Sequence, residues 1–209
     1  MADTTGTDRF DALAREWDLA PHHVRRTTDI ADLLNERIPL AGMSALEVGA
    51  GTGLLSFALA GRLSRVVASD PSQGMVDILE DKIRQSGIGN IASLRCGDDL
   101  DGVDGPFDLV LLQMALHHVP DPRAFLGRAA GKIRQGGWIA VADLDTEDGS
   151  FHGPDVADIH FGFKRSEIVE WFALAGFEPI SIETVHTMSR QGPQGSREYP
   201  IFLATARKR

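Results

Sequence analysis

The stretch Ala45–Ser56, ALEVGAGTGLLS, decides how this chain is read. A short apolar run ends in glycines at 49, 51 and 53, and a second apolar run follows at once. This is the pattern of a strand turning sharply into a helix, with glycine freeing the backbone to turn tightly and to approach a nucleotide-like ligand. The spacing separates the possible ligands. A dinucleotide fingerprint needs G-x-G-x-x-G, yet here the third glycine comes one residue early and Leu54 occupies the required position. A phosphate loop needs a lysine after its last glycine, and none follows.

Outward from this turn, apolar strand-like runs at 45–48, 66–69, 91–95, 108–113 and 138–142 alternate with helical stretches at 54–62, 74–85 and 123–134. Such alternation demands crossover connections, hence a parallel sheet covered on both faces. A helix at 165–175 then leads into strands at 178–185 and 199–206 with no helix between them. Joined by a loop of about a dozen residues, these two can pair antiparallel at one edge. Ahead of the turn, Phe10, Leu13, Ala14 and Trp17 make a helical stripe over 8–19 that Pro21 ends, and a second helix covers 24–37. The expected fold is α/β: one doubly wound, Rossmann-like domain over 1–209, with N-terminal helices in 1–40 and the sheet in 41–209.

The 209 residues suit one domain with a full core, and 43% hydrophobic with 24% charged residues is ordinary for a globular protein. A net charge of −9 argues against a nucleic-acid partner, which would need a basic stripe. One cysteine, Cys96, excludes an internal disulfide and fits a reducing cytoplasmic setting. A leader peptide and an apolar run of about 18 residues are both missing, so neither secretion nor a membrane partner is expected.

Two carboxylates narrow the ligand. Glu47, two residues before the first glycine, would sit near the carboxyl end of the first strand, where it repels a pyrophosphate and attracts an ammonium. Asp70 ends the second strand about 20 residues after the turn, where a carboxylate accepts hydrogen bonds from ribose hydroxyls. Each also has a plainer reading, Glu47 as a solvated strand end and Asp70 as a helix cap. Together they favour an adenosine that bears an amino acid and no phosphate, which describes S-adenosylmethionine.

The segments ALEVGAGTGLLS, VVASDPSQGMVDIL, LRCGDDL, FDLVLLQMALHHVPDP, KIRQGGWIAVADL and WFALAGFEP follow one another in an order and spacing that resembles the class I S-adenosylmethionine-dependent methyltransferases, of the type 11, quinone-biosynthesis-like, small-molecule branch. The departures are small: Gln135 stands where the family often has proline, and Ala50 where cysteine is frequent. The resemblance implies the strand order 3-2-1-4-5-7-6 with the seventh strand antiparallel. It implies that Gly49, Ala50, Gly51 and Gly53 lie against the methionine and sugar portions, with Glu47 at the amino-acid end and Asp70 on the ribose. Pro71 or Ser72 and Met75 would flank the adenine. Asp98 would accept from the adenine amino group, with Asp99 a competing choice, and Gln113 would face the methionine portion. It also implies that the N-terminal helices form a lid in which Trp17 covers the ligand; simple packing of Phe10, Leu13 and Trp17 on the sheet is the alternative.

The acceptor side is less determined. His117 and His118 follow the fourth strand, where a histidine can act as general base, and His117 is the better placed to face the cofactor. The connection from Asp143 to Phe163 is long and rich in acids, histidines and phenylalanines, which suits a binding element. From it Asp145, His152, His160 and Phe163 are candidates for catalysis or substrate binding; a solvated acidic loop with its phenylalanines in the core is the competing reading. His117, His118, His152 and His160 would suit a divalent ion, but no fixed-spacing ligand motif is present and no metal is expected. The expected activity is methyl transfer from S-adenosylmethionine to a small molecule, by a monomer or homodimer. The alternatives are a non-catalytic binder of the same cofactor and an NAD-dependent oxidoreductase.

Overall fold

The computed structural model describes residues 6–152, 159–192 and 195–209. Its strands are β1 (Ser44–Val48), β2 (Arg65–Asp70), β3 (Ile91–Arg95), β4 (Phe107–Gln113), β5 (Ile133–Leu144), β6 (Phe177–Gly192) and β7 (Gly195–Lys208). They form one sheet in the order β3-β2-β1-β4-β5-β7-β6, as expected. Strands β1 to β5 pair in parallel, and β7 runs antiparallel to both β5 and β6. The chain winds outward from β1 to β3, then returns to place β4 on the other side of β1. That reversal opens a crevice at the carboxyl ends of β1 and β4, where sheets of this kind bind ligands.

The helices are α1 (Gly6–Leu13), α2 (Pro21–Arg37), α3 (Leu54–Leu59), α4 (Gln73–Ser86), α5 (Pro122–Gly131) and α6 (Arg165–Leu174), with 3-10 turns at Ala14–Leu19 and Leu116–His118. Successive strand residues point to opposite faces, so β4 feeds two cores. Leu109 and Leu111 join Ile30, Leu34, Leu55 and Leu79 from α2, α3 and α4. Val110 and Leu112 join Phe125, Leu126, Ile168 and Phe172 from α5 and α6. No helix among the described residues is long and apolar enough to cross a membrane.

Several element boundaries differ from expectation, three of them instructively. The helix expected over 8–19 ends at Leu13 and tightens into the 3-10 turn, and Pro21 starts α2 rather than ending its predecessor. Proline suits that first position because its missing N–H has no helical partner there anyway. The helix expected over 123–134 stops at Gly131, because β5 begins at Ile133, opposite Phe107. The edge hairpin is much longer than expected, pairing from Phe177↔Lys208 to Gly192↔Gly195. Met188 and Tyr199 face each other across it and are buried, and the Tyr199 ring meets that of Phe151 at 5.2 Å. Burial against the segment after β5 thus holds as strand a run whose local composition reads as loop.

Candidate active site

Glu47 lies on β1 one residue before its end and is 1% exposed. Ser56, on α3, donates its hydroxyl to this carboxylate. Burial pushes the Glu47 pKa up to about 7 despite that hydrogen bond. Asp70, the last residue of β2, is buried and accepts the N–H of Gly51 at 2.7 Å and of Ser72 at 2.9 Å. Burial raises its pKa too, opposed by those two bonds. Asp70 therefore fixes the glycine turn as well as ending its strand. It is not the cap of α4; Ser72 is, accepting the N–H of Met75 at 3.1 Å.

A cavity of about 530 Å³ lies over these strand ends, within the range of small-molecule sites. Glu47, Gly49, Ala50, Gly51 and Asp70 line it, as do Pro71, Met75, Asp98 and Gln113. Gly53 and Asp99 do not. A Cβ on Gly51 would meet nothing closer than Met75 at 3.8 Å, whereas one on Gly53 would strike Leu79 at 2.5 Å. Gly51 therefore leaves backbone open to the cavity, while Gly53 lets the turn pack on α4. Of the two consecutive acids, Asp98 pairs with Arg128 at 3.0 Å at the cavity wall, and Asp99 turns away to accept the Asp101 N–H at 3.1 Å.

On the β4 and β5 side, the His117 Nδ1 lies 2.7 Å from Asp143, at the end of β5, and both side chains are fully buried. Asp143 also accepts the N–H of His117 at 3.2 Å and of Leu144 at 2.7 Å. Burial alone would raise its carboxyl, but the His117 imidazole and these bonds hold it below its ordinary value. A carboxylate only accepts, so Nδ1 carries the proton; the buried Nε2 has no partner, and His117 lines the cavity. His118 and His152 lie beside it, and burial followed by the neighbouring His117 drives each pKa down to about 3, leaving both rings neutral. One nitrogen from each of the three histidines lies within 4.8 Å of the others. That donor set would suit a zinc-like ion. Against a cation, Arg9, Arg26 and Arg190 line the same cavity.

Arg26 is 4% exposed, and its pKa falls to about 10, chiefly through burial. Its Nε has no hydrogen-bond partner. Among the described residues six buried side-chain polar atoms are unpartnered, and four of them, on Arg26, Gln113, His117 and His152, belong to residues lining this one cavity. Each costs about 1–3 kcal/mol if nothing satisfies it. Their concentration marks a place built for a polar ligand.

The N-terminal segment closes the cavity from above. Phe10 and Trp17 line it, with Phe10 edge-on to Trp17 at 5.9 Å and to His118 at 5.2 Å. Two acids fasten the segment. Asp11 accepts from the Ser72 hydroxyl at 2.5 Å and the Gly74 N–H at 2.8 Å; Asp18 accepts from Thr52 at 2.5 Å and Lys82 at 2.5 Å. Removing both, Asp11→Ala with Asp18→Ala, is expected to speed amide exchange at residues 6–19 about tenfold or more while leaving exchange in β1 and β4 unchanged. Unaltered exchange at 6–19 would show that these acids do not hold the segment down.

On the acceptor side, three candidates are not brought to the cavity. Asp145 is gripped by Arg165 through two hydrogen bonds, at 2.8 and 2.6 Å. His160 donates its backbone N–H to the His117 carbonyl at 2.9 Å, and its Nε2 lies 3.0 Å from the Val119 carbonyl, so it braces the histidine turn from behind. Phe163 is 3% exposed and packs on Trp171 at 5.8 Å. From the same connection His152 does reach the cavity; residues 153–158 lie outside those described. Ser56, Asp143, Arg26 and Arg190 were not among the residues expected at the site. Arg26 had a signal: it stands four residues before Ile30 and eight before Leu34, on the apolar stripe of α2.

Residues 46–141 match the family model Methyltransf_11, described as a methyltransferase domain. An uncharacterized methyltransferase of Schizosaccharomyces pombe is 34% identical over 158 residues, 68% of this chain and 56% of that protein. A ubiquinone biosynthesis O-methyltransferase of Xylella fastidiosa is 31% identical over 144 residues, 66% of this chain and 58% of that one. This chain thus spans under two thirds of the length of these relatives. In fold, it is similar to DhpI solved in complex with SAH, with a TM-score of 0.72 at 23% identity over 97% of this chain and 94% of that one. Taken with the glycine turn, the two strand-end carboxylates and the sheet order, these likenesses agree: residues 46–141 are a methyltransferase domain of the class I, S-adenosylmethionine-dependent kind.

Proposed function

We propose that this protein binds S-adenosylmethionine in the cavity over β1, β2 and β4 and transfers its methyl group to a small molecule. The observation that carries the reading is the pair of buried carboxylates, Glu47 and Asp70, that flank one glycine turn in the lining of a single cavity. The donor set fits the cofactor. Glu47 would take the ammonium, Asp70 the ribose hydroxyls, Met75 and Pro71 the faces of the adenine, Asp98 its amino group and Gln113 the methionine portion. A pyrophosphate would face Glu47 instead, which disfavours a dinucleotide.

When bound, S-adenosylmethionine supplies a sulfonium methyl with a good leaving group already attached. The chain's own work is then to orient the acceptor, exclude water and, for a protonated acceptor, remove a proton. His117 is the base: Nε2 faces the cavity, and Asp143 fixes the tautomer that leaves its lone pair free. Asp143 acts through His117 and is a positioning residue. His118 and His152, held near a pKa of 3, are too weakly basic for the task and serve as polar lining. Phe10 and Trp17 shut out water. The free, buried Cys96 fits a reducing compartment, and we place the protein in the cytoplasm.

The test is incubation with methyl-labelled S-adenosylmethionine and a broad panel of small acceptors. Label is expected in at least one, with His117→Ala lowering transfer while affinity for S-adenosylhomocysteine changes less than about twofold. Tight binding without transfer to any acceptor would favour a non-catalytic binder. NAD binding in place of S-adenosylmethionine would overturn the proposal.

A further inference from the structure

The cavity has two electrostatic halves, and the sheet order separates them. Glu47, Asp70 and Asp98 stand at or just beyond the ends of β1, β2 and β3. Arg26 lies instead toward β5 and β6, where its Nη1 is 3.7 Å from the Met188 sulfur and its charge is felt with those of Asp143 and Arg190. Arg190, on β6 two residues after Met188, rests its guanidinium 4.1 Å over the Phe151 ring and donates to the Phe151 carbonyl. Neither arginine has a carboxylate within ion-pair distance among the described residues. In a chain with 30 acids and a net charge of −9, that needs a cause. Burying an unpaired guanidinium is costly, and Arg26 is 4% exposed with Nε unsatisfied. The local carboxylate, Asp143, is already spent on His117 and two backbone N–H groups. Beside the arginines, the Nε2 of His152 is also buried without a partner.

We propose that the methyl acceptor is a small anionic molecule, a carboxylate or a phosphoryl compound, whose oxyanion is held between Arg26 and Arg190 at the β5 and β6 side of the cavity. As a statement about the acceptor it rests on the methyl-transfer reading above; as a statement about an anion site it does not. An oxyanion there would satisfy the Arg26 Nε and relieve the mutual repulsion of two like charges. The Phe151 ring under Arg190 and the neighbouring His152 favour a planar or apolar body next to the charged group. Arg9, on α1, lines the same cavity, so an anion would also draw the N-terminal segment down.

The experiment is calorimetric titration of phenylphosphonate and of benzoate, with benzyl alcohol as uncharged control, into the full chain with and without saturating S-adenosylhomocysteine. At least one anion is expected to bind about tenfold or more tightly than benzyl alcohol, and the better of the two identifies the oxyanion. Arg190→Gln and Arg26→Gln should each lose about tenfold of that preference, and Arg26→Lys less. S-adenosylhomocysteine affinity should stay within about twofold in all three variants, which also reports that they are folded. The proposal is overturned if benzyl alcohol binds as well as the anions, if neither anion binds, or if the arginine variants keep the anion preference. It is equally overturned if Arg26→Gln loses S-adenosylhomocysteine instead, since Arg26 would then hold the cofactor's carboxylate. If the wild type binds the anions and not S-adenosylhomocysteine, the anion site stands and the methyl-transfer reading falls.

Discussion

Asp143→Ala is expected to destabilise the fold by about 3–5 kcal/mol, because it removes one partner of a fully buried pair and strands the other. His117 would lose the acceptor of its Nδ1–H and of its backbone N–H, and Leu144 would lose the acceptor of its own. For a domain of this size the loss lowers the melting temperature by roughly 10 °C. The sign with pH follows from the direction of the shift: the Asp143 carboxyl is held below its ordinary value, so its stabilisation is present above the usual carboxylate range and lost as pH falls. The gap between wild type and variant should therefore be full at pH 7 and narrow at acid pH. Melting curves for both proteins over that range check this, and equal melting temperatures at pH 7 would show that the pair carries no stability. Asp143→Asn, which keeps an acceptor for Nδ1–H, should recover part of it.

Asp70→Ala is expected to weaken S-adenosylhomocysteine binding by about 1–3 kcal/mol, five-fold to more than a hundred-fold, through lost charge-assisted hydrogen bonds. Two effects combine in it. The ribose would lose its acceptor, and the Gly51 and Ser72 N–H groups that Asp70 now fixes would be released. Asp70→Asn is expected to be milder and to touch both: its single carbonyl oxygen accepts but its amide nitrogen cannot, so at most one of the two N–H contacts survives unchanged. Unchanged affinity in the alanine variant would mean that Asp70 serves the turn and not the ligand.

The glycine spacing, the two strand-end carboxylates and the strand-helix alternation made the sheet and the cofactor half of the cavity legible, because each depends on a local pattern. Asp98 and Asp99 could not be separated on sequence, since consecutive acids after a strand differ only in the direction the backbone turns them. The acceptor half was hard to read for a different reason. Asp145 and His160 looked chemically capable, but Arg165 and the His117–Val119 turn claim them through contacts made 20 or more residues away. Asp143 sits two residues before Asp145, but it lies within β5 at 0% exposure, whereas Asp145 lies beyond the strand's end and is partly exposed. The full length of the hairpin was not legible because Tyr199, opposite Met188, packs on Phe151, a contact that no local window contains.

Glu47 offers the sharpest test of what the cavity holds. Its folded-state pKa of about 7 stands above the ordinary 4.5, so the folded protein binds this proton more tightly than the unfolded chain. Without ligand, stability should fall as pH rises from about 4.5 to about 7, by on the order of 3 kcal/mol, and Glu47→Gln should flatten that slope. A bound ammonium favours the carboxylate and so expels the proton. The deciding measurement is calorimetric titration of S-adenosylmethionine at pH 6.5 in two buffers of different ionisation enthalpy. Saturable binding at micromolar concentration is expected, with release of a substantial fraction of one proton, little release at pH 8, and none in Glu47→Gln. Binding of NAD with no binding of S-adenosylmethionine would contradict it.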